Sequence, residues 1–194
     1  EICCGAGATQ VISNVIAGNG WQGIAIWEPE PAGSLIAGNL VGLAPDGLTR
    51  AANGSTGIRV NTPYVVVDNN TVAAGGHGGL RSTTDAHHLA ITGNRFGTDA
   101  SGTVAIGNSY DGISLESTWD EVHDNQISGN WGTGISVYLQ ASHSVFAGNV
   151  VGLDALGTAA VPNDGVGMRV RGSHNVIGGS SAADRNVISA NDGY

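Results

Sequence analysis

The chain repeats itself at a fixed interval, and this interval restricts its fold more than any other feature. Equivalent positions recur three times across the 194 residues. Self-similarity at a fixed period is typical of proteins built from stacked structural units, in which neighbouring units bury one continuous core. The recurring positions include Gly38-Asn39, Gly93-Asn94 and Gly148-Asn149, then Gly42, Gly97 and Gly152, and also Asn53, Asn108 and Asn163.

Each 55-residue unit divides into two turns of a coil, one of about 21 residues and one of about 33. Within each turn, two short segments alternate apolar and other residues, as at 15–19 and 23–27, which is the pattern of strands with one buried face. Because no hairpin turns separate these strands, we expect each to pair in parallel with the equivalent strand one turn later. The pattern therefore predicts an all-β fold, a parallel β-helix of about six to seven turns.

The interior of this coil should contain apolar ladders and an asparagine ladder at one corner. Stacked amides would satisfy the backbone groups that a tight bend leaves unpaired. We interpret residues 1–194 as a single β-helix domain, which is either a segment of a longer rod or stacks end to end, because no polar cap is evident. The predicted ladders are Ile16, Ile36, Val72, Ile91, Ile127, Phe146 and Ile188 on one sheet, Ile24, Ile58, Leu80, Ile113, Ile135 and Met168 on another, and Asn19, Asn39, Asn94, Asn130 and Asn149 at the corner.

Several runs within this grid resemble a known family. The runs 14–19, 97–108, 175–179 and 185–191 are similar to right-handed parallel β-helix repeats of the pectin-lyase-like superfold, which recur in large secreted bacterial repeat proteins. The resemblance covers essentially the whole chain and implies a secreted or cell-surface protein. That superfold hosts polysaccharide lyases, hydrolases, epimerases, adhesins and inert stalks, so the function must be argued from the site.

Composition excludes several classes of partner and cofactor. The net charge is −9, whereas a nucleic-acid partner would require a basic footprint, and no apolar run is long enough for a transmembrane helix. Cys3 and Cys4 are adjacent and lack zinc-site spacing, so we expect free or buried thiols. Asp99 and Asp154 supply one carboxylate per turn, which is few compared with the roughly six to eight oxygen ligands that calcium takes. We therefore expect no metal or cofactor, with calcium as the alternative.

The departures from the repeat are the candidates for function. The chain has seven arginines and no lysine, and four of the arginines fall on the outward face of one predicted sheet. Arginine can hold carboxylates with two hydrogen bonds, and aromatic rings can stack on sugar faces, so this face suits an anionic polysaccharide. Alternatively, the arginines are exposed only because charges avoid cores, and Glu116 pairs with a neighbour one turn away. The candidate ligand-binding residues are Trp27, Arg59, Arg81, Glu116, Tyr138, Arg169 and Arg171.

Aromatic and histidine residues form a second anomaly. His88 and His143 are equivalent positions of successive repeat units, and Tyr64, Trp119 and His174 share one register. We expect these residues to stack their rings at a turn. The alternative is catalysis, because the segment 84–88 and the Tyr110-Asp111 pair contain groups that can transfer protons.

Two classes of function remain open. The first is a non-catalytic extracellular rod that serves as a stalk, adhesin or filament segment, with a polysaccharide-binding face. The second, implied by the resemblance, is a polysaccharide lyase or C5-epimerase acting on uronic acids, in which Arg81 would neutralise the carboxylate, Tyr138 or His123 would shuttle the proton and Glu116 would orient. The Asp-Pro-His type motif of the epimerases is absent. The regularity of the repeat favours the rod, because an active site should disrupt consecutive turns.

Overall fold

The structure is a computed structural model that describes residues 8–27 and 33–193. Within these ranges the chain forms strands, turns and bends but no helix. Accordingly, no helix that could span a membrane occurs in the described segments. Cys3 and Cys4, for which free or buried thiols were predicted, lie outside the described residues.

Short strands stack into three parallel sheets. The first sheet contains β1 (Gln10–Ile12), β4 (Leu35–Ala37), β7 (Val66–Asp68), β10 (Ala90–Thr92), β13 (Glu121–His123), β16 (Val145–Ala147) and β19 (Val176–Ile177). The second sheet contains β2 (Val15–Ile16), β5 (Leu40–Val41), β8 (Thr71–Val72), β11 (Arg95–Phe96), β14 (Gln126–Ile127), β17 (Val150–Val151) and β20 (Val187–Ile188). The third sheet contains β3 (Ile24–Ile26), β6 (Ile58–Val60), β9 (Leu80–Ser82), β12 (Ile113–Leu115), β15 (Ile135–Val137) and β18 (Met168–Val170).

The pairing register confirms the parallel coil and its two-turn period. In the first sheet Leu35 pairs with Val66, which pairs with Ala90, the equivalent of Leu35 in the next repeat unit. With seven, seven and six strands in the sheets, the predicted six to seven turns are confirmed. Each full turn contains three strands, however, and not the two that the sequence pattern predicted.

The apolar core consists of columns of side chains that point into the coil. On the third sheet the predicted column is correct, from Ile24 through Ile58 and Leu80 to Met168. The other predicted column was wrong as a single ladder, because its members divide between two sheets. Ile36, Ile91 and Phe146 belong to the first sheet, whereas Ile16, Val72, Ile127 and Ile188 belong to the second sheet.

Asparagines form two ladders at two corners, where a single ladder was predicted. The first corner, between the first and second sheets, carries seven rungs, in which the side-chain amide of one asparagine donates to the carbonyl oxygen of the next. The second corner, between the second and third sheets, has a glycine in place of one rung. The rungs are Asn14, Asn39, Asn70, Asn94, Asn125, Asn149 and Asn186 at the first corner, and Asn19, Asn53, Asn108, Asn130, Asn163 and Asn191 at the second.

The third corner, between the third and first sheets, carries the stack of rings that was predicted from the shared register. The backbone at each of these residues has a positive φ, so the side chains project from equivalent bends. The indole of Trp119 lies 4.2 Å from the His143 ring, and His143 lies 4.8 Å from His174, both in parallel orientation. The stack consists of Tyr64, His88, Trp119, His143 and His174.

At the C-terminal side of the described coil, the core columns end in exposed side chains. Ile177 and Ile188 continue columns that are fully buried in the preceding turns, yet both are about half exposed. End-to-end self-association stays a prediction.

Candidate functional site

The floor of the candidate site is the outward face of the third sheet. Its central residues pair from strand to strand, so they form one column along the axis of the coil. Arg59 and Arg81 are direct partners on β6 and β9, and adjacent strands are separated by about 4.8 Å. The column comprises Ala25, Arg59, Arg81, Ser114, Ser136 and Arg169.

One wall of the site comes from the residues three positions before each strand of this sheet. Trp21, Ser55, His77 and Tyr110 occupy this position in four successive turns, and the next two turns have glycines there. The indole of Trp21 and the ring of Tyr110 are 64% and 61% exposed. The wall therefore stands only over the first four turns.

Floor and wall together enclose a groove of about 430 Å³. Because it follows the stacking direction of the strands, the groove is elongated and suits an extended ligand better than a compact one. It is open to solvent along one side and combines cationic, aromatic and acidic side chains. Its lining includes Trp21, Arg59, His77, Arg81, Tyr110, Asp111 and Tyr138.

Arg59 is held in place by two contacts. Its guanidinium lies over the Trp27 ring, 4.6 Å from the ring centroid, and its Nε donates a hydrogen bond of 3.2 Å to Asn61 Oδ1. Stacking on an indole and a hydrogen bond at Nε leave the two terminal nitrogens as donors. Among the described residues, neither terminal nitrogen has a hydrogen-bond partner. Arg59 is therefore a preoriented cation in the groove.

Arg81 differs from Arg59 because it has a carboxylate partner. Its terminal nitrogen lies 2.8 Å from Glu116 Oε1, and the two side chains are 53% and 23% exposed. This is the pairing one turn away that the structural interpretation of the arginine face anticipated. An exposed pair of this kind contributes little stability, so a ligand carboxylate can compete with Glu116 for the guanidinium.

The groove also brings together groups that can transfer protons. His77 Nδ1 lies 3.1 Å from Ser55 Oγ, and the His77 ring meets the Tyr110 ring edge to face at 5.8 Å. Asp111 is oriented by Thr133 N–H at 2.9 Å and by the hydroxyl of Ser114 at 3.1 Å. The two rings belong to the wall and line the same groove as the arginines of the floor.

The predicted site residues are brought together only in part. Arg59, Arg81 and Tyr138 line the groove, and Trp27 and Glu116 contact its two arginines. Arg169 and Arg171 belong to the last strand of the third sheet and the residue after it, outside the groove lining. His123 lies on β13 of the first sheet and does not line the groove with Arg81 and Tyr138.

Three residues of the wall, Trp21, Ser55 and His77, were missed. Tyr110 and Asp111 were recognised as proton-transfer groups but were not placed beside the arginines. The signal was present in the repeat, because Ser55, Tyr110 and Gly165 are equivalent positions and only one carries a ring. Assigning that position to the groove required the third strand of each turn.

The acidic loops that were considered for calcium use their carboxylates internally. Asp154 Oδ1 accepts hydrogen bonds from Ala159 N–H and Thr158 N–H at 3.1 and 2.7 Å, and these bonds lower the pKa of Asp154 below its ordinary value. Asp99 accepts equivalent bonds from Thr103 and Val104. Across residues 8–27 and 33–193, no three His, Cys, Asp or Glu side chains cluster as a metal site.

Three stacked parallel sheets around an apolar interior define a parallel β-helix. A family model described as "Right handed beta helix region" matches residues 2–151, and the chain belongs to this family. No curated protein matches the sequence at a significant level.

Among solved structures, the fold is similar to the A-module of the mannuronan C-5 epimerase of Azotobacter vinelandii. The TM-score is 0.54 at 14% sequence identity, and the match covers 95% of this chain. The chain spans about half of that neighbour, 53% of its length. At this identity the likeness shows the fold alone.

Proposed function

We propose that the chain is a non-catalytic extracellular β-helical rod that binds an acidic polysaccharide in the groove of the third sheet. The observation that carries this proposal is the pair of stacked arginines, Arg59 and Arg81, on the floor of an elongated groove walled by exposed aromatic rings. The rest of the protein is acidic, with a net charge of −9. The groove thus places two guanidinium groups side by side on an anionic protein.

The chemistry of the groove favours a chain of uronic acids. A guanidinium can donate two parallel hydrogen bonds to one carboxylate, and two arginines on adjacent strands can engage two carboxylates of one polymer. The rings of Trp21, Tyr110 and Tyr138 present apolar surfaces with a polar edge, which suits sugar faces. Since the surrounding surface repels polyanions, we expect binding to depend on these few contacts rather than on general charge attraction.

Binding of polygalacturonate and alginate tests this proposal by calorimetry or affinity electrophoresis. Replacing Arg59 or Arg81 with Ala should weaken binding about 10-fold each, because each removes a charge-assisted contact. Arg185→Ala, which removes an exposed arginine outside the groove, is the matched control and should change nothing. Unchanged affinity in both groove variants would exclude the groove as the binding site.

Arg169→Ala separates the groove from the longer arginine face that the sequence predicted. Arg169 shares the column of Arg59 and Arg81 but lies outside the groove lining. If the ligand occupies only the walled turns, this variant should bind like the unmodified protein. A loss equal to that of Arg81→Ala would extend the binding face along the whole sheet.

A lyase or C5-epimerase is the second candidate, and one observation favours it. His77 and Tyr110 contact each other and line the groove together with Arg81, so a neutralising cation and two proton-transfer groups share one groove. A mannuronan epimerase has a similar fold, which makes alginate the first polymer to test. New ultraviolet absorption would reveal an unsaturated product, and NMR would reveal epimerisation; binding without either product supports the rod.

A further inference from the structure

Another arginine, Arg95, interrupts the repeat on the second sheet, away from the arginines of the third sheet. Arg95 lies in β11 of the second sheet, and the equivalent positions in the preceding and following repeat units are Leu40 and Val150. In these two turns an aliphatic side chain fills the space on the outside of the sheet. Arg95 therefore places a charge where the repeat otherwise has an apolar group.

A loop covers this position in the turn that contains Arg95. Thr98 and Ala105 pair in antiparallel fashion at its base, and a side chain added at Gly102 would lie 3.0 Å from Arg95 Nε. The amide nitrogen of Gln126 fixes the loop by donating to Gly102 O at 2.7 Å and to Leu153 O at 3.0 Å. The Nε end of the guanidinium is thus held beneath a loop that is itself anchored.

The guanidinium of Arg95 lacks a partner within the described part of the chain. Its Nε is fully buried and has no hydrogen bond. The one ion pair among residues 8–27 and 33–193 joins Arg81 and Glu116, so Arg95 has no carboxylate within bonding distance. A buried charged donor without an acceptor destabilises the fold, and such groups in folded proteins commonly meet a water or an ion.

A hollow of about 270 Å³ opens beside this side chain. It is bounded by Asn94 and Asn125 of the first corner, by Gln126 and by Asp124. The space is small compared with the groove of the third sheet, so it suits a single charged group. Asp124 also borders the hollow, so its charge partly offsets the attraction of Arg95 for an anion.

From this geometry we propose that Arg95 binds a carboxylate in the hollow, as a small carboxylic acid or as one uronate group of a glycan. The planar fork of the guanidinium matches the two oxygens of a carboxylate, and its two terminal nitrogens would supply the two hydrogen bonds. This site lies on the second sheet and is independent of the groove that carries the proposed function.

The Nε–H resonance of Arg95 in ¹⁵N-labelled protein is the direct probe. Sodium acetate, galacturonate and polygalacturonate are added at constant ionic strength, with chloride as the reference anion. We expect a saturable shift of this resonance and of the Gly102 amide. If acetate saturates the shift, a small carboxylic acid is sufficient to occupy the site. If only polygalacturonate saturates it, the bound carboxylate belongs to a glycan.

Arg95→Leu should abolish the saturable shift at Gly102 while preserving the fold, since Leu40 occupies the equivalent position. If that variant does not fold, Arg95→Gln removes the charge with a polar side chain. Arg81→Leu is the matched control and should leave the shift in place, which separates this site from the groove. Asp124→Asn should tighten binding several-fold, because it removes a repulsive charge.

Two results would overturn the proposal. The first is a shift at Gly102 that survives Arg95→Leu, since the anion would then bind elsewhere. The second is an unmodified protein whose Arg95 resonance responds to no carboxylate, while Asp124→Asn responds to acetate. In that case Arg95 pairs with Asp124 in solution and the hollow holds no external ligand.

Discussion

The first and third corners of the coil share a backbone plan and differ in how they are held together. At both, a residue with positive φ is followed by a buried residue, as in Gly93-Asn94 at the first corner and His88-Leu89 at the third. At the first corner the residue that follows is asparagine in every turn, and the amides form an unbroken ladder. At the third corner that residue changes from turn to turn, and the preceding residues stack their rings outside the coil.

This difference shows which part of a corner is required and which part is free. A left-handed residue bends the chain at both corners, so that conformation is the shared requirement. Asparagine at the following position bonds to its own kind one turn away and so repeats without change. Where other residues occupy that position, the properties of the corner differ from turn to turn. Asp120, for example, places a buried carboxyl there.

The largest effect should follow from breaking the first-corner ladder in its middle. Asn94 donates through Nδ2 to Val67 O and Asn125 Oδ1, and its Oδ1 accepts from Asn70 N–H. Asn94→Ala leaves several buried groups unsatisfied, and we expect a loss of about 3–5 kcal/mol in the free energy of unfolding. Denaturant unfolding measures it.

Ser144→Ala is the matched change at the third corner. Ser144 is equally buried, and its hydroxyl accepts a hydrogen bond of 3.0 Å from Asp120 N–H. We expect a loss of about 1 kcal/mol, because a single short bond is removed. Equal losses in the two variants would contradict the distinction between the corners.

Asp120 provides the next largest effect and depends on pH. Its carboxyl is 1% exposed, and burial raises its pKa to about 6, although hydrogen bonds from Ser117 Oγ and Leu89 N–H oppose the shift. The unfolded chain loses this proton near pH 3.8, whereas the folded chain keeps it until about pH 6. The stabilising contribution is therefore complete below pH 3.8 and is lost as the pH rises through 6, a decline of about 3 kcal/mol.

Asp120→Asn isolates this contribution, because an amide does not ionise, still accepts from Leu89 N–H and can donate to Ser117 Oγ in place of accepting from it. The difference in unfolding free energy between variant and parent should grow from pH 4 to pH 7, in favour of the variant. Asp154 and Asp46 have lowered pKa values, so they act in the opposite direction and only toward acid pH. A difference that stays constant between pH 4 and pH 7 would mean that Asp120 is not the titrating group.

The second corner sharpens the comparison because its ladder has a gap at Gly75. A Cβ there would overlap Gly78 O, so the gap reflects steric exclusion beside the groove wall. We expect Gly75→Ala to lower the unfolding free energy by about 1–3 kcal/mol. Gly20→Ala, where a Cβ meets nothing within 4 Å, should change it by less than about 0.5 kcal/mol. If Gly75→Ala is more stable than the parent protein, steric exclusion does not explain why the asparagine ladder has a gap at this position.

The parts of this fold that could be predicted from the sequence are those that repeat. The repeat interval predicted parallel stacking, the number of turns and the ring stack at the third corner. The division of each turn into three strands was not predictable by period-two alternation, because β1 and β2 have three and two residues and are separated only by Ser13 and Asn14. Two strands that are so short and so close together give the same alternation pattern as a single strand.

The same error explains what was right and wrong about the candidate site. The third sheet was assigned correctly, so Arg59 and Arg81 were placed on one face. The first and second sheets were merged, so the sequence pattern did not show that His123 lies on a different sheet from these arginines. His77 lies in a glycine-rich segment between two strands, where no periodic pattern indicates the direction of a side chain.

The smallest effect concerns the ring stack, which replaces the amide ladder at the third corner. Trp119 lies between His88 and His143, with ring centroids 6.1 and 4.2 Å away, and has a φ of 61°. Trp119→Asn keeps a residue that tolerates positive φ and removes the ring, so we expect a loss of about 0.5–1.5 kcal/mol in unfolding free energy. Trp21→Asn removes an indole that has no ring partner in the described ranges, and stability should not change. If the two variants lose equal stability, the rings stack at the third corner without stabilising it, and the left-handed bend alone holds that corner.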